Sequence, residues 1–149
     1  MMGEYNQIEA LMHLRGKKIL LVEDNEINAQ ITMLQLKEAG FEVFWCEDGK
    51  AGLDKYLESE PGTYSIIVTD IMMPVMDGNE MVEKIRARGR EDANVPVLAI
   101  TANAFPQDLL RFENSGINKC ITKPYKKSVM LDYICKYIME FEHINVFDN

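Results

Sequence analysis

Short apolar runs alternate with amphipathic stretches over most of this 149-residue sequence. An apolar run of four to six residues is typical of a buried parallel strand, and apolar residues spaced by three and four are typical of a helix. Five such strand–helix units predict an α/β fold, the flavodoxin-like (βα)5 doubly wound parallel sheet with strand order 2-1-3-4-5. The predicted strands cover residues 19–22, 41–45, 65–69, 95–100 and 118–122, and the predicted helices cover residues 25–39, 48–59, 79–88, 104–114 and 126–141.

The chain has the length of about one domain, which we assign to residues 17–141. Residues 1–16 are then an N-terminal extension, in which residues 4–14 have the spacing of a short amphipathic helix. Residues 142–149 are a C-terminal tail. This division predicts a single functional site within one core.

Apolar residues form one face of the first helix of the units and two stripes on the last helix. The first helix has Ile27, Ile31 and Leu34 on one face. The last helix has two apolar stripes, of which only one can face the sheet; they consist of Leu131, Ile134, Cys135 and Ile138, and of Met130, Tyr133, Tyr137 and Phe141. The second stripe is either covered by the N-terminal segment or offered to a partner.

Charge and cysteine content exclude several classes of protein. The net charge is −8 and no basic stripe is present, so we expect no binding of nucleic acid. Three cysteines, Cys46, Cys120 and Cys135, lie within apolar runs. Their odd number is typical of reduced thiols in a cytoplasmic protein. No apolar stretch approaches membrane-spanning length, so we expect no direct membrane insertion.

Polar side chains follow four of the predicted strands, at the point where each strand ends. They are Glu23, Asp24, Asp70, Thr101 and Lys123. The carboxyl ends of parallel strands meet at one edge of the sheet, where ligands bind in open α/β folds. Three carboxylates suit Mg²⁺, whereas a lysine and a threonine hydroxyl suit the oxygens of a phosphoryl group. One carboxylate is then free to act as a nucleophile toward phosphorus.

Four sequence blocks that contain these residues resemble a known family. They are LVEDNEIN at 21–28, VTDIMMPVMDG at 68–78, AITANA at 99–104 and TKP at 122–124. In this order and spacing they resemble the signature blocks of two-component receiver (response-regulator) domains, most of all the receivers of hybrid sensor histidine kinases. The resemblance implies a phosphoacceptor signalling domain, and no enzyme beyond Mg²⁺-dependent self-phosphorylation and self-dephosphorylation.

The resemblance also implies a role for each site residue. Asp70 would accept the phosphoryl group from a phosphohistidine of a histidine kinase or a histidine phosphotransfer protein. Asp24 and Asp70 would bind Mg²⁺ together with the backbone carbonyl of Met72, and Glu23 would act through water. Lys123 would pair with the phosphoryl oxygens.

Thr101 would move to hydrogen-bond a phosphoryl oxygen, and Lys123–Pro124 would be a cis peptide. The aromatic residue that usually couples to this threonine is replaced here by Cys120. A thiol cannot fill an aromatic volume, so the resemblance assigns the switch positions to Thr101 and Cys120 but does not imply the usual coupling between them. The face formed by the fourth helix of the units, the fifth strand and the last helix is the expected surface for a homodimer or a partner.

Two other functions compete with this interpretation. A Mg²⁺-dependent phosphatase of the haloacid-dehalogenase type also forms an aspartyl phosphate, but it needs a second aspartate two residues after the nucleophile, where this chain has Met72. A phosphorylation-independent interaction module is the other alternative, and the departure at Cys120 is the feature that favours it.

Overall fold

A computed structural model describes residues 2–147 of the chain. Its five strands are all parallel and lie in the order β2-β1-β3-β4-β5, which confirms the predicted fold. The strands are β1 (Lys18–Val22), β2 (Glu42–Cys46), β3 (Ile66–Thr69), β4 (Val97–Thr101) and β5 (Lys119–Thr122), and the helices are α1 (Glu4–His13), α2 (Glu26–Glu38), α3 (Gly49–Glu58), α4 (Gly78–Arg86), α5 (Pro106–Ser115) and α6 (Lys127–Phe141).

Helices cover both faces of the sheet, because alternate residues of each buried strand point to opposite sides. In β1, Ile19 and Leu21 pack in a core cluster with α1, α2 and α6. Leu20 and Val22 pack in a second cluster with α3, α4 and α5. The carboxyl edge of the sheet stays open between the two layers, and the polar residues predicted to lie there do so: Glu23, Asp24, Asp70, Thr101 and Lys123.

The apolar face predicted for α2 points away from the sheet. Ile27, Ile31 and Leu34 share one face, as their spacing predicts, but they are 71%, 52% and 59% exposed. The buried residues of α2 are Ala29, Thr32 and Leu36. Helical periodicity determines which residues share a face, whereas packing against β1 and β2 decides which face is buried. The exposed stripe is therefore a surface feature beside the site.

The two stripes of α6 have different surroundings. The first stripe is buried against the sheet, and Met130 of the second stripe is buried with it. Tyr133 and Tyr137 remain only partly covered, stacked on each other with Lys119 of β5 over the Tyr133 ring. The N-terminal helix α1 packs on another side of α6, where Gln7 donates hydrogen bonds to Ser128 O and Asp132 Oδ1. The two tyrosines thus lie beside β5 at the predicted partner face.

Apolar residues spaced by four and three along α5 are only partly buried. Phe112 lies in the core, whereas Phe105 and Leu109 are exposed. The helix begins at Pro106, so Phe105 is the residue that precedes its first turn and does not face the sheet. Exposed apolar side chains thus occur on α5 as well as on α2.

Candidate functional site

The carboxylates gather at the carboxyl edge because β1 and β3 are adjacent. The Asp70 N–H donates to Val22 O and the Glu23 N–H donates to Cys46 O, so both residues continue the sheet by one step. Asn25 then starts α2, since its side chain accepts a hydrogen bond from the Asn28 N–H. The turn between β1 and this cap holds Glu23 and Asp24 at the edge.

The structure brings Glu23, Asp24 and Asp70 into one cluster. One carboxylate oxygen from each lies within 4.8 Å of the other two. Lys123 approaches from the end of β5, with its Nζ atom 3.6 Å from Asp70 Oδ2 and 3.7 Å from Glu23 Oε1. One ammonium thus stands against three carboxylates, which leaves the cluster with an excess of negative charge.

Burial and the neighbouring charge act together on Glu23. Its side chain is buried, and within the described residues its Oε1 atom has no hydrogen-bond partner. Burial, followed by the nearby Asp70 carboxylate, raises the pKa of Glu23 to about 7 although Lys123 acts in the opposite direction. A buried carboxylate oxygen that lacks a hydrogen-bond partner within the described residues, next to two further carboxylates, fits a hard cation with oxygen ligands such as Mg²⁺.

Local hydrogen bonds fix the orientation of Asp70. The Ile71 N–H donates to Asp70 Oδ1 at 2.7 Å, which leaves Oδ2 on the side of Lys123. The following loop returns close to Asp70, because α4 begins at Gly78 against the Asp70 carbonyl. A Cβ atom at Gly78 would lie 2.5 Å from Asp70 O, so only glycine fits there without a shift of the backbone. Met72 projects from this loop and is largely exposed.

Thr101 and Lys123 come from the ends of β4 and β5. The Lys123 N–H donates to Thr101 O at 2.8 Å, and the Lys123–Pro124 peptide is cis, as predicted. The Thr101 side chain is buried, and its hydroxyl contacts the backbone of Asn103, donating to the carbonyl oxygen and accepting from the N–H. The hydroxyl is therefore engaged with the loop that follows β4.

Cys120 lies half-buried on β5, opposite Ala99 of β4. Burial raises the pKa of its thiol, so its surroundings do not favour a reactive thiolate. A shallow cavity of about 350 Å³ borders Cys120, between β5 and the α5 residues Leu109 and Phe112. A small side chain at this position thus coincides with open space beneath α5.

Two residues next to the site were missed from the sequence. The indole N–H of Trp45 donates to Glu23 O at 2.8 Å, and the Tyr125 hydroxyl bonds to α2. The position of Tyr125 directly after Lys123–Pro124 was a usable signal. The contact of Trp45 had no signal, because it depends on the pairing of β1 with β2.

The family model for the response regulator receiver domain matches residues 19–135. The chain belongs to this receiver domain family. The match begins at the second residue of β1 and ends within α6, so it includes all of the predicted site residues, and the sequence resemblance to receiver domains is confirmed.

Known proteins similar to this receiver include hybrid kinases. Hybrid signal transduction histidine kinase L of Dictyostelium discoideum is 38% identical over 122 residues, and kinase I of the same organism is 35% identical over 131 residues. The matches cover 80% and 83% of this chain, but only 7% and 8% of the kinases. The receiver thus spans less than a tenth of these relatives, and it is similar to the receiver domains of histidine kinases.

Solved structures agree with the fold of this receiver. The receiver domain of a sensor histidine kinase from Pseudomonas aeruginosa, crystallised with magnesium in its active site cleft, is 32% identical with a TM-score of 0.73, covering 83% of this chain and 98% of that one. The chemotaxis protein CheY4 of Vibrio cholerae is 26% identical with a TM-score of 0.74, covering 82% and 98%. Among the helices of residues 2–147, none is long and apolar enough to span a membrane.

Proposed function

We propose that this receiver accepts a phosphoryl group from a phosphohistidine onto Asp70 within a two-component or phosphorelay system. The observation that carries the proposal is the pairing of a backbone-oriented carboxylate with Lys123, 3.6 Å from Asp70 Oδ2. An Asp70 carboxylate oxygen attacks phosphorus, the P–O bond forms as the P–N bond breaks, and the bonding electron pair leaves with the donor imidazole. Lys123 neutralises charge on the phosphoryl oxygens, and positioning with neutralisation suffices for this class of transfer.

The carboxylate cluster supports a requirement for Mg²⁺. Asp24 and Asp70, with the backbone carbonyl of Met72, would hold the ion directly, and Glu23 would act through water. When bound, Mg²⁺ offsets the negative charge of the carboxylates and of the incoming phosphoryl group. The buried Oε1 atom of Glu23, which has no hydrogen-bond partner within the described residues, is the feature that most favours a cation here.

Thr101 is the residue that we expect to respond to phosphorylation. Its hydroxyl would exchange the Asn103 backbone for a phosphoryl oxygen, which would release the loop after β4. Cys120 fills less space than an aromatic residue and leaves the cavity under α5 open to rearrangement of this loop. We propose that the exposed α5–β5–α6 face, with Leu109, is where a partner or a second copy senses this change.

The phosphodonor is a histidine kinase or a histidine phosphotransfer protein, which we propose docks on α2. The exposed Ile27, Ile31 and Leu34 form an apolar stripe on this helix. Ile31 and Lys123 line the same cavity of about 420 Å³, so the stripe continues to the residue that faces Asp70. A donor bound there would bring its phosphohistidine to the open edge of the sheet.

We keep the predicted division of the chain within this proposal. Residues 17–141 form the receiver, residues 1–16 are an extension that contains α1, and residues 142–149 are a tail. Residues 1, 148 and 149 of these segments lie outside the described part of the chain. We also propose that the receiver works in the cytoplasm and binds no nucleic acid, consistent with its net charge of −8.

The chemistry is tested with a small phosphodonor. The purified chain is incubated with acetyl phosphate and Mg²⁺, and its intact mass is measured. We expect addition of one phosphoryl group, which Asp70→Asn and removal of Mg²⁺ with EDTA abolish. An unmodified wild-type chain would refute the proposal and favour the alternative of a phosphorylation-independent interaction module. Rapid hydrolysis of added phosphate esters would favour the alternative of a Mg²⁺-dependent phosphatase.

The docking surface is tested with a macromolecular donor. Ile31→Asp places a charge in the α2 stripe, and Leu109→Asp makes the same change on α5. We expect Ile31→Asp to slow transfer from a phosphorylated histidine phosphotransfer protein and to leave labelling by acetyl phosphate unchanged. Leu109→Asp serves as the matched control; if it impaired transfer more than Ile31→Asp did, the donor would dock on α5 instead.

A further inference from the structure

Tyr125 fastens the loop that carries Lys123 to the buried side of α2. Its hydroxyl donates to Gln35 Oε1 at 2.9 Å and lies 3.0 Å from Thr32 Oγ1. Thr32 and Gln35 are three residues apart on α2, so both reach the same hydroxyl. Thr32 occupies one of the buried positions of α2 between Ala29 and Leu36, where an apolar residue would be expected. The contact with Tyr125 accounts for this buried polar side chain.

Lys123 lies between two anchors of this loop. On one side its own N–H bonds to Thr101 O of β4, and on the other side Tyr125 bonds to α2. The lysine side chain is long and flexible, so the position of its ammonium depends on where its backbone is held. A displacement of about 1 Å of a group that positions or neutralises the reacting atoms can lower the reaction rate by a large factor. The Tyr125 contacts thus bear on the distance between Lys123 Nζ and Asp70.

We propose that Tyr125 is a positioning residue for Lys123, acting through the hydrogen bonds of its hydroxyl with Thr32 and Gln35. This inference rests on the proposed function of Asp70 as phosphoacceptor. It connects the site to α2. This helix carries the exposed apolar stripe, and it also forms hydrogen bonds with the loop that contains Lys123. Tyr125 does not itself touch the reacting atoms.

The test removes one oxygen atom and keeps the ring. In Tyr125→Phe we expect the rate of phosphorylation by acetyl phosphate at saturating Mg²⁺ to fall about three- to tenfold, the size of effect typical of one or two lost hydrogen bonds. The Mg²⁺ concentration for half-saturation should stay unchanged, because the hydroxyl contacts none of the carboxylates. It is read from the fluorescence of Trp45, the one tryptophan in the chain, whose indole N–H bonds to Glu23 O.

Two further measurements separate positioning from general structural damage. The NMR signal of the Lys123 Cε group should shift in Tyr125→Phe, and adding Thr32→Val to this variant should lower the rate no further. Tyr5→Phe is the matched control, because it removes the same oxygen atom from an exposed tyrosine of α1, which lies outside both the site and the α5–β5–α6 face. It should leave the rate and the Lys123 signal as in the wild type.

The outcomes distinguish this inference from the function on which it rests. A wild-type rate in Tyr125→Phe, or a loss of rate matched by an equal loss of Mg²⁺ affinity, would overturn the positioning role alone. A wild-type chain that takes up no phosphoryl group would overturn the proposed function, and the positioning role with it.

Discussion

Replacing Glu23 by glutamine should stabilise the metal-free protein at alkaline pH. The side chain is 5% exposed, and its Oε1 atom has no hydrogen-bond partner within the described residues. In the absence of a cation its negative charge is opposed by burial and by Asp70, and Lys123 at 3.7 Å is the main group that offsets it. Glutamine keeps the shape of the side chain and removes the charge, so the main unfavourable interaction of the site disappears.

The expected gain in stability follows from the pKa of Glu23. A rise from 4.5 to about 7 corresponds to roughly 3 kcal/mol, because one pKa unit equals about 1.4 kcal/mol. The folded protein binds the proton more tightly than the unfolded chain, so this group lowers stability as pH rises from 4.5 to 7. We expect Glu23→Gln to raise the free energy of unfolding by about 1–3 kcal/mol at pH 8, and to change it little at pH 5, where folded Glu23 is already protonated.

Urea denaturation in EDTA at the two pH values measures this difference. Asp24→Asn is the matched control, because Asp24 is exposed and the loss of its charge should stabilise the protein much less. With saturating Mg²⁺ we expect the wild type to be more stable than Glu23→Gln, because ion binding raises the free energy of unfolding of the wild type more than that of the variant. A destabilised Glu23→Gln at pH 8 in EDTA, or a difference that did not depend on pH, would contradict the assigned burial and charge of Glu23.

Two further substitutions test the packing beside Asp70 and in the core cluster that α3, α4 and α5 form with the sheet. Gly78→Ala should destabilise the protein by about 1–3 kcal/mol and slow phosphorylation, because the new Cβ would lie 2.5 Å from Asp70 O and must displace the Asp70 backbone. Urea unfolding measures the loss of stability, and the acetyl phosphate assay measures the rate of phosphorylation. An unchanged rate would argue against the close approach of Gly78 to Asp70. Tyr56→Phe should destabilise the protein by about 1–3 kcal/mol, because the buried hydroxyl donates to Asp92 Oδ1 at 2.7 Å and to Asp92 O at 2.9 Å. Tyr64→Phe is the control, because Tyr64 is another buried tyrosine of the same core cluster. An equal loss of stability in both variants would indicate that the Asp92 contacts contribute nothing specific.

The fold could be predicted because it follows from local patterns. The apolar runs and helical spacings predicted every strand and helix with ends that differ by at most two residues from those observed. The differences arise where a strand end depends on its neighbour: the run from 95 to 100 begins two residues early, since β4 starts at Val97 after Pro96, which has no N–H to donate. The meeting of Glu23, Asp24 and Asp70 could be predicted for the same reason, since adjacent parallel strands end at one edge.

The surface and the supporting contacts of the site depended on tertiary structure. Spacing placed Ile27, Ile31 and Leu34 on one face of α2, but only packing against the sheet decided that this face is exposed. The contacts of Tyr125 join residues 90 and 93 positions apart, which no local pattern records. The sequence by itself therefore determined which groups meet at the edge of the sheet, because strand direction and order follow from short-range patterns. Only the tertiary structure decided how deeply Glu23 is buried and what holds Lys123 in place, because both depend on side chains brought together from distant parts of the chain.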